Sequence, residues 1–67
     1  MNLSDEKAMH HEVALRKVQE IAAGYSAYSE TTEVTSLIHR LLAERNIEAY
    51  EEKKEIGSWF IPIHKKE

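Results

Sequence analysis

Val34, Leu37, Ile38, Leu41 and Leu42 recur at i, i+3, i+4, i+7 and i+8, the spacing of a helix with one buried face. The pattern predicts a helix over about 30–45. Ser29 is placed to cap it, with Glu30 in the first turn. Arg45 suits the negative end of its dipole, and Asn46 is a residue that tolerates the left-handed turn ending a helix. Upstream, no proline interrupts the chain before Pro62, and helical periodicity runs over about 4–25. Ser4 can cap that first helix, with Asp5 and Glu6 at its positive end and Leu3 stapled to Ala8. At 100° per residue, His11, Ala14, Leu15, Val18, Ile21, Ala22 and Tyr25 share a stripe that reads as its core face. Met9 and Val13 project to the other side with Ala23 and Ala27. Because "ALRKVQEIAA" holds no helix breaker, one long helix with a second, thin apolar strip is expected. Gly24 and "YSAYSETT" mark the boundary between the helices.

After Asn46 the period changes from helical to alternating. Ile47 and Ala49 share one face of "IEAYEE" and Tyr50 takes the other. In "EIGSWFIPI", Trp59, Ile61 and Ile63 oppose Ile56 and Phe60. The two segments predict a hairpin over about 47–63 with charged "EEKKE" as its turn. Gly57 is a candidate bulge, and Pro62 restricts its end of the strand to an edge or a terminus. The fold class expected is α+β: two helices followed by a C-terminal β-hairpin, in one small domain spanning 1–67.

Composition narrows the options. A 67-residue chain buries only about 60% of the surface its unfolded form exposes, so small domains commonly add disulfides, a metal or a partner. Cysteine is absent, which removes disulfides and thiolate ligands. The polar, acidic "MNLSDEKAMHH" does not read as a secretory leader, and no apolar run is long enough to span a bilayer. A cytoplasmic protein is the expectation. The net charge of -3 disfavours nucleic acid, whose phosphates call for lysine and arginine.

Candidate chemistry is thin. Glu6 and His10 stand at i, i+4, but His11 projects elsewhere, and His39 and His64 would have to join through tertiary folding. Zinc needs three or four converging ligands, so neither a metal site nor a cofactor is expected. His11, on the apolar stripe, reads as a half-buried histidine. There is no glycine-rich phosphate loop, no nucleophile elbow and no cysteine nucleophile. An enzyme is not expected.

The segments "QEIAAGY", "TEVTSLIHRLLAERN" and "IEAYEEKKEIGSWFIPI" together resemble the second helix, recognition helix and wing of a winged helix-turn-helix domain. That resemblance covers about two thirds of the chain, with a longer turn between the helices than is usual. It implies a DNA-binding transcriptional regulator whose base-reading positions fall near Thr32, Thr35, Ser36, His39 and Arg40. Lys53 and Lys54 would then serve the phosphates. Glu30 and Glu33 stand at the start of that helix, where a carboxylate repels phosphate.

The aromatics Tyr25, Tyr28, Tyr50, Trp59 and Phe60 carry the remaining signal. Trp59 either closes the core or stands on an exposed face. A hairpin apolar on both sides cannot hide both beneath two helices, so one side calls for another chain. The reading preferred from sequence is a non-enzymatic regulatory protein that binds another protein, a second copy included. Tyr50, Trp59, Phe60 and Ile61 of the hairpin and Met9 and Val13 of the first helix are the contact residues expected.

Overall fold

The computed structural model describes residues 3–63, with side chains from residue 6 onward. Helix α1 spans Leu3–Ala22, strand β1 Ala27–Ser29, helix α2 Thr32–Glu44, strand β2 Ala49–Lys53 and strand β3 Ser58–Pro62. The Ser4 cap and the Leu3–Ala8 staple depend on side chains that are not described, and His64 lies outside the described residues. As expected, α1 is one helix. Both helices end in the same way. Gly24 (φ 100°) and Asn46 (φ 56°) take the left-handed conformation. The Tyr25 amide donates to the Glu20 carbonyl and the Ile47 amide to the Leu42 carbonyl, each at 2.9 Å. These are Schellman closures, which satisfy carbonyls that a helix end leaves unpaired.

Ala14, Val18 and Ile21 form the buried line of α1, flanked by the half-buried His10, Leu15 and Lys17. The expected stripe is therefore rotated by about one position, and His11, Ala22 and Tyr25 are exposed. Tyr25 departs because the helix stops at Ala22, so its position no longer follows the 100° step. On α2 the buried residues are Val34, Ile38, Leu41 and Leu42, as the ladder of apolar positions requires. Its cap is Thr31, whose Oγ1 accepts from the Val34 amide at 3.2 Å, and not Ser29.

Ser29 is occupied elsewhere, in a strand that the sequence pattern did not show. The three strands form one antiparallel sheet of order β1-β3-β2. Ala27, Tyr28 and Ser29 pair with Phe60, Trp59 and Ser58, while Ala49 to Lys53 pair with Pro62 to Ser58. Strand β2 extends through Lys53, so the turn lies at residues 54–57 and shares only Lys54 and Glu55 with "EEKKE". The Lys54 amide closes it on the Gly57 carbonyl at 3.1 Å. Hydrogen-bonded rungs to β2 fall at Gly57/Lys54 and Ile63/Glu48. In an antiparallel ladder these rungs recur at every second residue, so even-numbered residues of β3 direct their N–H groups toward β1. Pro62, which has none, stands beyond the end of β1, where no strand could accept one.

Both helices pack on one side of this sheet. Phe60, 1% exposed at the centre of β3, joins Ala27 from β1 and the buried residues of α1 and α2 in a single core. Burying a side chain of this size stabilises the fold by about 1.5–3 kcal/mol. Phe60 therefore belongs to the core and is inaccessible to a partner, contrary to expectation. The reason is the pleat: Phe60 is in register with Ala27 and Glu51 on the helix-facing side, and its neighbours Trp59 and Ile61 face away.

Candidate functional site

Among the described residues, the side of the sheet away from the helices has no second layer. Alternation along β3 puts Trp59 and Ile61 there, continued by Ile63, and the register adds Tyr28 from β1 and Tyr50 and Glu52 from β2. Trp59 is 39% exposed and Tyr50 56%. The rings of Tyr28 and Trp59 are tilted at 51° with centroids 5.2 Å apart, an arrangement favoured by the ring quadrupoles. The Tyr28 hydroxyl donates to the Ile56 carbonyl, so β1 is tied to the hairpin loop and the aromatic pair is held in place. Glu52 stands across from Trp59 with its carboxylate 3.6 Å from Lys54.

Three of the expected contact residues, Tyr50, Trp59 and Ile61, thus share one open surface. Met9 and Val13 are exposed, at 57% and 39%, but they belong to the helix layer on the other side of the sheet. Val13 borders a recess between α1 and the start of α2, beside Val34. The structure does not bring the two patches together. Sequence reasoning assigned no place on this surface to Tyr28, and the only local sign was the alternation of Ala27, Tyr28 and Ser29.

A polar cluster lies on the helix-facing side, at the edge of the core. Glu51 accepts from His39 Nε2 at 2.8 Å and from the Ser58 hydroxyl. The Ser58 hydrogen bond is the main cause holding the Glu51 carboxyl below its ordinary value, with further help from His39 and Lys53 and opposition from burial. The carboxylate sits between the serine and the histidine, so the base is bonded to the acid and not to the hydroxyl. A serine–histidine–carboxylate triad instead places the histidine between the hydroxyl and the carboxylate. Ser58 is also buried. The cluster ties α2 to β2 and β3. Nearby, the buried Ser29 Oγ is 2.8 Å from Thr35 Oγ1, and every buried side-chain polar atom among the described residues has a partner.

The residues expected to read DNA are divided by this arrangement. Thr35 is half-buried against Ser29, and His39 is held by Glu51 with its ring edge-on to Phe60 at 5.2 Å. Ser36 and Arg40 line a groove between α2 and α1 that also contains Glu33. Lys53 lines a different recess with Thr31 and His39, and Lys54 leans on Glu52. "QEIAAGY" is the end of α1 and its closing turn, and β1 occupies part of the connection to α2. Among the described residues, no three metal-ligating side chains cluster, and no helix is long and apolar enough to cross a membrane.

The YtzJ protein family matches residues 5–61, covering both helices and the sheet almost to the end of β3. The chain belongs to the YtzJ family. It is 36% identical over 52 residues to the Uncharacterized protein YtzJ of Bacillus subtilis (strain 168), a match spanning 78% of this chain and 82% of that protein. No solved structure matches. The YtzJ match takes in Tyr28, Tyr50, Trp59 and Ile61 of the open surface, while Ile63 lies beyond it.

Proposed function

We propose that this YtzJ-family chain is a small, non-enzymatic, cytoplasmic regulatory protein that binds another protein through the open face of its hairpin. The observation that carries this reading is the placement of Tyr50, Trp59 and Ile61 on the uncovered side of the sheet. Large contiguous apolar patches are rare on monomeric proteins and mark sites of association, and tyrosine and tryptophan dominate the binding energy of such sites. The chain acts by occlusion or recruitment, with no chemistry performed on the partner. Met9 and Val13 supply a second, smaller patch, suited to pairing with another copy through α1. DNA binding is not preferred, because Thr35 and His39 are engaged within the fold and Arg40 and Lys53 line different grooves.

The test is affinity capture with the wild-type chain and with a Tyr50→Glu, Ile61→Glu double variant, each with and without nuclease. The expected result is a partner retained after nuclease and lost on the double variant, with circular dichroism showing that the variant is folded. A partner released by nuclease, together with a shifted DNA duplex at low salt, would reject the reading in favour of nucleic acid.

A further inference from the structure

In the helix layer, a groove of about 740 Å³ lies between α1 and α2. That size falls within the roughly 300–1,000 Å³ of small-molecule sites, which are mostly apolar with a few convergent polar groups. Lys7, Ala8 and His11 come from α1, and Glu33, Leu37 and Arg40 from α2. Steps of three and four residues keep each set on one side of its helix. The lining is mostly apolar, and Leu37 is half-buried against the core.

Its charge sets it apart. Among the described residues, Lys7 and Arg40 form no ion pair, and Glu33 is the one carboxylate that shares the groove with them. The imidazoles of His10 and His11 in the same lining can only add positive charge. Three other recesses lack this surplus. Glu30 and Glu51 outnumber Lys53 in one, Lys17 is balanced by Glu30 in another, and the third holds Glu48 with no cation. In a chain of net charge -3, this groove combines apolar surface with unpaired cations. The Arg40 guanidinium offers a fork of donors that matches a carboxylate, and the Lys7 ammonium adds a point charge.

We propose that the groove between α1 and α2 binds a small carboxylic acid with an apolar body, the carboxylate held by Arg40 and Lys7 and the body lying on Ala8 and Leu37. The protein-binding reading concerns the other side of the sheet and does not depend on this site.

The probes are octanoate, octanol, octylamine and acetate, titrated into the isotope-labelled full chain while its backbone amide resonances are followed. Octanoate is expected to move the amides of Ala8, Leu37 and Arg40 saturably and to leave those of Trp59 and Ile61 in place. It should bind at least fivefold more tightly than octanol, with octylamine weaker than octanol. Acetate, which has the head but no body, should not saturate. Arg40→Gln and Lys7→Gln change exposed side chains, and the same spectra show that each variant is folded. Each should cut the preference for octanoate over octanol severalfold while octanol binding is unchanged, and Glu33→Gln should enlarge it. Equal binding of octanoate and octanol, tighter binding of octylamine, or acetate as tight as octanoate overturns the inference. So do octanoate shifts confined to the sheet face, a preference untouched by both cation substitutions, or no saturation at millimolar octanoate. Each of these leaves the protein-binding reading standing, because that reading is tested at Tyr50 and Ile61.

Discussion

Gly57 in the hairpin loop and Ser29 at the end of β1 pack backbone against backbone: a β-carbon on Gly57 would overlap the Ser29 carbonyl oxygen and crowd the Tyr28 hydroxyl. Gly57 also holds a φ of 78°. Any side chain there is opposed twice, by the left-handed backbone and by the collision. Gly57→Ala should cost about 2–4 kcal/mol, combining the left-handed penalty with overpacking. Urea unfolding of the two chains measures it. A loss below about 1 kcal/mol would show that the loop does not need this close approach.

Adjacent residues of β3 should respond very differently to truncation. Phe60→Ala removes the centre of the core and should cost about 3–5 kcal/mol, enough to unfold much of a domain this small. Trp59→Ala removes a half-exposed ring and its contact with Tyr28, a loss of about 1 kcal/mol. Thermal melts of both variants give the order. Equal losses would contradict the assignment of Phe60 and Trp59 to opposite faces.

Glu51 confers a dependence on acid. Its carboxyl titrates below the ordinary 4.5 in the folded chain, so the native state favours the ionised form. Its stabilising contribution is complete above pH 4.5 and is lost as the pH falls through the lower folded value. Glu51→Gln should therefore lower the melting temperature at pH 7, and the gap to wild type should narrow as the solution is taken below pH 4.5. A gap that stays constant into acid would mean that ionisation of Glu51 adds nothing to its hydrogen bonds with Ser58 and His39.

Asn46 closes α2 at a φ of 56°, a conformation that glycine adopts without steric cost. Asn46→Gly should leave stability unchanged or raise it slightly, whereas Asn46→Val should lower it by about 1–2 kcal/mol. Denaturant midpoints distinguish them. Equal effects would indicate that the turn re-forms around valine.

Much of this architecture was legible because it depends on neighbours close in the chain. The i, i+3, i+4 ladder from Val34 to Leu42 determined α2 and its buried side. Gly24 and Asn46 marked the helix ends, because few residues enter the left-handed region. Alternation placed Trp59 and Ile61 apart from Phe60, and Tyr50 apart from Ile47 and Ala49. It did not say which side of the hairpin the helices would cover, and Phe60 was consequently counted among the contact residues.

Only the tertiary structure decided β1, the place of the turn and the open surface. Ala27-Tyr28-Ser29 is too short to carry a pattern of its own, and it is a strand because β3, some thirty residues later, pairs with it. That pairing turned Ser29 from an expected cap into a buried partner of Thr35 and brought Tyr28 beside Trp59. Local sequence determined which residues could form each element and which sides of it were apolar. The choice of the covered side followed from how the helices and strands pack, because hydrophobic burial depends on the whole assembled surface and not on any one segment.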